Sequence, residues 1–310
     1  MVRRSEARLP LRKRLIQQRD YLLLRLVMAL AAPFSLRALQ RLGRSLGLFC
    51  WRFLPFRRRV VLANLEAAFG HELDARARRA LAREFYAQLG TTLLEFCGYW
   101  RLTPVELAAL IEVHGREHLD AALAHGRGAV LVSGHFGNWE LMAAWLSGAV
   151  GEVRFLIKSQ SNQRVDHLQN DLRRRAGVTV IRVDTSPREM IRTLRQGGVI
   201  GLLGDQDAGS GGLFVEFLGR PASVFRGAAN LAWRQRCPVV TGFLVRLPDG
   251  RHRLEISPPL FPDPGWDEEQ ALAAITRWHT ERLAAAVRRH PEHYFWVHRR
   301  WKTQPPPAAG

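Results

Sequence analysis

Beyond residue 127 the chain alternates short apolar runs with amphipathic stretches, and that rhythm predicts its architecture. Residues 128–133, 153–158, 178–183, 199–204, 239–247 and 252–257 read as strands, being brief and rich in branched aliphatic residues. Helical spacing covers residues 139–146, 164–175, 187–196, 225–236 and 266–290. Strands that take turns with helices imply an α/β fold with a largely parallel central sheet flanked by helices. Upstream, residues 60–110 are helical in pattern, with Leu81, Phe85, Leu89, Leu93 and Phe96 as a buried stripe. The chain shows no internal repeats.

The first 60 residues differ. Arg3, Arg4, Arg8, Arg12, Lys13 and Arg14 precede an apolar run from Tyr21 to Phe34 that Arg25 interrupts. The run is shorter than the ~20 residues needed to cross a bilayer. Leu36, Leu39, Leu42, Leu46 and Phe49 then recur at helical spacing with Arg37, Arg41 and Arg44 between them. A basic amphipathic helix of this kind lies in a membrane interface; the same leucines can also simply pack on the domain. Ala29 to Ala31 has the look of a signal-peptidase site, against which Arg25 argues. A single span would carry the rest of the chain outward, whereas Arg57, Arg58 and Arg59 pull the other way. We expect a helical membrane-anchoring region over residues 1–56, catalytic domain over 57–304, and a disordered tail over 305–310.

The 310 residues are 47% hydrophobic and suffice for one sizeable domain or two small ones, and 46 Lys plus Arg against 28 Asp plus Glu give a formal charge of +18. That excess suits an anionic membrane surface, an acidic carrier protein or nucleic acid. No zinc-finger spacing or RNA-recognition aromatic motif is present, and the arginines are dispersed, so nucleic acid is not expected. Cys50, Cys97 and Cys237 are odd in number and far apart, which predicts buried free thiols in a reducing compartment.

The chemistry centres on Ala129-Val-Leu-Val-Ser-Gly-His-Phe-Gly-Asn-Trp-Glu140. A strand ends here, Gly134 and Gly137 allow a sharp turn, and a helix follows. Open α/β sheets place their sites at such corners. Imidazole can take a proton from a hydroxyl when a carboxylate fixes its tautomer. Glu140, with four residues between it and His135, is the carboxylate nearest in sequence. The spacing is not that of a zinc helix, and no His or Cys cluster nearby completes a metal site. No metal and no cofactor are expected.

Other segments add candidates. Asp205 and Asp207 end the strand at 199–204; Asp205 reads either as lying near the His135 corner, orienting an arginine or the acceptor, or as a loop cap. Magnesium between the two aspartates would need more ligands than this stretch offers. Arg173 closes a helix, where a cation suits the dipole or grips a phosphate. Residues 214–221 read as a loop that covers an acyl chain or tucks onto the core. Residues 293–302 mix aromatics with basic side chains, which suits a lipid headgroup region, a phosphate pocket or a docked C-terminal strand.

Together His135 to Glu140, the helix from Asn162 to Arg173, the Asp205 to Asp207 stretch and the run from Pro291 to Thr303 resemble the bacterial lipid A biosynthesis acyltransferase family, the late lauroyl/myristoyl enzymes of the lysophospholipid acyltransferase-like group. The resemblance implies an inner-membrane enzyme, on the cytoplasmic face and monotopic or single-pass. It would move a fatty acyl chain from acyl carrier protein to a hydroxyl of a lipid A precursor or related glycolipid. It implies His135 and Glu140 as the catalytic dyad, and Arg173 and Asp205 as the further essential arginine and aspartate. Direct transfer is expected, because no Ser or Cys stands in a nucleophile elbow. A hydrolase using the same dyad, a transferase for an acceptor other than lipid A, and a membrane- or nucleic-acid-binding protein without turnover are the competing readings.

Overall fold

The computed structural model describes residues 10–183 and 187–306. Arg3, Arg4 and Arg8, and the last four residues of the expected tail, lie outside the described residues.

Among the described residues nine strands run in chain order: β1 Ile111–His114, β2 Ala129–Ser133, β3 Val153–Ile157, β4 Thr179–Arg182, β5 Val199–Leu203, β6 Leu213–Phe217, β7 Arg220–Val224, β8 Val239–Arg246 and β9 His252–Ile256. Seven of them form one sheet in the order β1-β9-β8-β2-β5-β3-β4. Among the described residues β8–β9 is the antiparallel pairing of that sheet; the rest are parallel. The expected α/β fold with a largely parallel sheet is what the chain adopts.

The central strand explains the layering. All of β2 is buried. Its side chains alternate, as the pleat requires. Ala129 and Leu131 pack with Leu141, Leu146 and Val240 on one face, while Val130 and Val132 pack with Ala228, Ala232 and Ile275 on the other. A strand covered on both faces reads as a continuous apolar run, which Ala129 to Val132 is. The covering helices include Trp139–Ala149 on the first face and Gly227–Gln235 and Glu268–Arg289 on the second. A third cluster joins Phe85, Phe136, Phe217 and Trp296 and ties the C-terminal segment to the body.

Three expectations are corrected. Residues 214–221 are a hairpin, not a loop: β6 pairs with β7 through Leu218 (φ 52°) and Gly219 (φ 79°). Two positive-φ residues match the right-handed twist of the flanking strands, and Phe217 is fully buried against Trp301 and Tyr294. Residues 293–302 form no strand of the sheet; a short 3-10 turn at Pro291–His293 leads into a run whose Tyr294 makes an isolated bridge to Phe136. Cys97 and Cys237 are buried free thiols, but Cys50 is only partly buried.

At the N-terminus the helices are Leu11–Ala31 and Leu36–Phe53. None among the described residues is long and apolar enough to cross a membrane. The Leu36–Phe53 helix packs its small residues, not its stripe of leucines, against the Ala75–Phe96 helix. A Cβ on Gly43 would sit 2.5 Å from the Gly90 carbonyl oxygen, and one on Gly47 would sit 1.9 Å from that of Tyr86. Leu39 is buried in this seam, whereas Leu42, Leu46, Phe49 and Phe53 stay exposed. The Leu11–Ala31 helix lies beside the Gln163–Arg175 helix, held by Gln17 Nε2 donating to the Ser161 carbonyl and Asn162 Nδ2 donating to that of Gln17, each at 2.9 Å.

Candidate active site

Parallel pairing of β2 with β5 puts Ser133 opposite Leu203, so the two strands end side by side. The loops leaving those ends carry His135 and Asp205. The turn at 134–138 is shaped by Gly137, at φ +58°, where a Cβ would lie 1.6 Å from the Leu244 carbonyl oxygen. Only glycine fits both demands. Asn138 then caps the Trp139–Ala149 helix, its Oδ1 accepting from the Leu141 amide at 3.0 Å.

Asp205 grips His135 at two points. The His135 backbone N–H donates to Oδ2 at 2.9 Å, and the ring Nδ1 lies 2.8 Å from Oδ1. A buried ionised carboxylate accepts only, so Nδ1 carries the proton and Nε2 keeps its lone pair. Nε2 makes no hydrogen bond to any described residue, and the side chain is 21% exposed. The ring is held between aromatics: Trp139 packs edge-on at 5.1 Å and Phe295 stacks at 5.6 Å. The Phe295 amide also donates to the His135 carbonyl at 3.0 Å, which fixes the C-terminal segment over the turn.

The electrostatics follow. Burial opposes charge on His135, but the charge and hydrogen bond of Asp205, with a smaller contribution from Glu140, outweigh it and raise the imidazole's pKa. Burial would raise the Asp205 carboxyl; the His135 contacts and the buried Arg300 nearby overcome it and hold the group below its usual range.

Glu140 has a different partner from the one its sequence position suggests. Arg173 holds it in a fork, Nε at 2.9 Å from Oε2 and Nη2 at 2.5 Å from Oε1. The third guanidinium nitrogen donates to Asn170 Oδ1 at 2.8 Å. Glu140 thus acts on the imidazole through space and makes no hydrogen bond to it. The carboxylate on the imidazole is therefore Asp205 and not Glu140, and Arg173, expected to suit the helix dipole or grip a phosphate, is engaged by Glu140. The physical reason is direction. Glu140 lies in the first turn of the helix that covers one face of the sheet, where its side chain reaches Arg173 of the Gln163–Arg175 helix, while Asp205 follows the end of the neighbouring strand.

Asp207 turns away from Asp205. Its carboxylate accepts from the Thr303 amide at 3.1 Å and hydroxyl at 2.8 Å, and its own amide donates to His298 Nε2 at 3.0 Å. It anchors the C-terminal run that carries Phe295. Phe295 and Trp139 lay inside quoted motifs, but nothing in their spacing marked them as walls of the imidazole.

Of the four site residues named from sequence, the structure brings His135 and Asp205 into contact and pairs Glu140 with Arg173. Comparison with known proteins adds the family. The lipid A biosynthesis lauroyltransferase of Escherichia coli is 30% identical over 282 residues, 90% of each chain. The lipid A biosynthesis palmitoleoyltransferase of the same organism is 27% identical over 267 residues, 85% of each chain. A phosphatidylinositol mannoside acyltransferase of Mycobacterium tuberculosis is 29% identical over 199 residues, 61% of this chain and 59% of that one. The model of the bacterial lipid A biosynthesis acyltransferases matches residues 10–303, and the chain belongs to that family.

Proposed function

We propose that the protein transfers a fatty acyl chain from the thioester of acyl carrier protein to a hydroxyl of a lipid A precursor or a related glycolipid. The observation that carries this reading is the free Nε2 of His135, on a ring whose other nitrogen is fixed by buried Asp205. As the acceptor oxygen attacks the thioester carbonyl, Nε2 takes the hydroxyl proton. A C–O bond forms, the C–S bond breaks, and the imidazolium returns the proton to the departing thiolate. Asp205 steadies the imidazolium while it exists, and Glu140, held by Arg173, adds its charge to the same end. General-base assistance of this kind is worth ~10²–10⁴ in rate.

Work at a membrane surface is part of the proposal. Leu42, Leu46, Phe49 and Phe53 are exposed on a helix that also carries Arg37, Arg41 and Arg44. Such a face supports interfacial docking on anionic lipid, at the cytoplasmic leaflet of the inner membrane. Product analysis tests the reaction. Purified protein, acyl carrier protein charged with a fatty acid, and a glycolipid acceptor should give an acceptor heavier by one acyl chain. Release of free fatty acid with the acceptor unchanged would mean hydrolysis instead.

A further inference from the structure

A concavity lies along the C-terminal run beyond Phe295. Arg59, Arg220, Arg299 and Lys302 line a groove of about 380 Å³, with Val60, Ala63 and Trp301 as its apolar part. The four cations come from three separate segments: the first turn of the Arg58–Phe69 helix, the start of β7, and the C-terminal run. None of them makes an ion pair or side-chain hydrogen bond with a described residue, and no described carboxylate lines the groove. Cations gathered this way repel one another and oppose the compact state unless an anion joins them. The helix start sharpens the point. Helix N-termini favour negative charge, yet this one has no acid in its first turn and follows Arg57 at a left-handed φ of 53°.

The groove is coupled to the candidate active site. Asn64, in its wall, donates through Nδ2 to the carbonyls of Trp296 and His298, both at 2.7 Å. Those residues follow Phe295, which stacks on His135. From Phe295 to Arg299 is four residues, so their Cα atoms are at most about 14 Å apart. One short run therefore carries both the ring that stacks on His135 and two of the cations that line the groove.

We propose that this groove binds a phosphate monoester carried on the sugar headgroup of the acceptor. Guanidinium forks match phosphate oxygens in pairs, and apolar residues beside them suit a sugar ring. The groove's volume suits a small headgroup. The identity of the ligand as the acceptor rests on the acyl-transfer reading; the binding does not.

Calorimetry on the full chain separates the two. Glucose 1-phosphate should bind, glucose should not, and inorganic phosphate should bind at least ~10-fold more weakly than the sugar phosphate. In the R220Q/R299Q variant affinity for glucose 1-phosphate should fall at least ~10-fold, and in His135→Ala it should be unchanged even if all transfer is lost. In the transfer assay the same double variant should raise KM for a phosphorylated acceptor and leave KM for acyl carrier protein alone. Unchanged binding by the variant, equal affinity for inorganic phosphate, or a rise in KM for acyl carrier protein in place of the acceptor would each overturn the assignment. Weaker partition onto anionic vesicles with no loss of sugar-phosphate binding would overturn it as well. Should the double variant not fold, exposed Lys302→Gln carries the same comparison.

Discussion

Asp205 holds His135 by both its backbone and its ring, Oδ2 at 2.9 Å from the amide nitrogen and Oδ1 at 2.8 Å from Nδ1. The double contact sets the turn and the tautomer together. Loop position and proton position are then one property, and losing the carboxylate loses both.

Asp205→Asn should therefore lower kcat by about 10²-fold or more, since an amide cannot balance the imidazolium. It should also move the titration. With Asp205 present the His135 pKa is raised, so activity should climb with pH through a value above the usual ~6.5. Without it burial acts with little opposition, and the acid limb should shift to lower pH. The same shifts set stability. The raised His135 contributes fully below its unfolded pKa and is lost as pH rises through the folded one. The depressed Asp205 contributes above its unfolded pKa of ~3.9 and is lost as pH falls through the folded one. The pair should stabilise the fold most between those two unfolded values. The pH dependence of kcat/KM and of the urea midpoint in wild type and variant checks each sign.

The Glu140–Arg173 pair predicts a different signature. Both side chains are largely buried, at 11% and 16% exposed. Removing either alone strands a charge and should destabilise the protein by about 3–5 kcal/mol. Glu140→Leu with Arg173→Leu together should recover much of that loss while activity stays low. Urea denaturation of the two single variants and the double variant closes the cycle. Additive losses would mean that the two side chains are not coupled.

Much of this site was legible in the sequence, and what was not has a physical reason. Val130 to Val132, followed by Gly134 and Gly137, announced a strand-to-helix corner under His135 because a buried strand and a tight turn leave local marks. Asp205 could be read as lying near that corner from its place at a strand's end, but not as the partner of the imidazole. Asp205 meets His135 through the pairing of β2 with β5, and strand order is set by packing of the whole sheet. Glu140 was nearer in sequence, but its helix directs it to Arg173. β1 was missed because four residues, Ile111 to His114, are too few to show a period. The β6–β7 hairpin was missed because Gly219 marks a turn but Leu218, not Gly or Asn, holds the first of its two positive-φ positions. The leucine stripe at residues 36–49 was correctly periodic, yet Leu39 is its buried member, and Gln40, Gly43 and Gly47 complete the buried side, which hydrophobic spacing does not weigh.

That helix also predicts membrane behaviour. Leu42→Ser, Leu46→Ser and Phe49→Ser together remove exposed apolar side chains and leave the Gly43–Gly47 seam intact. Binding to vesicles containing anionic lipid should drop at least ~10-fold, with the thermal midpoint nearly unchanged. Sedimentation with vesicles measures the first and a melting curve the second. Equal sedimentation of the variant would contradict interfacial docking by this face.

The most direct test is single-turnover acyl transfer by His135→Ala, with the acylated acceptor quantified by mass spectrometry beside a melting curve of the same protein. We expect the rate to fall by ~10²–10⁴ while the folded state persists, because the bond from the His135 backbone amide to Asp205 does not depend on the ring. Transfer at the wild-type rate by a folded His135→Ala protein would contradict the account.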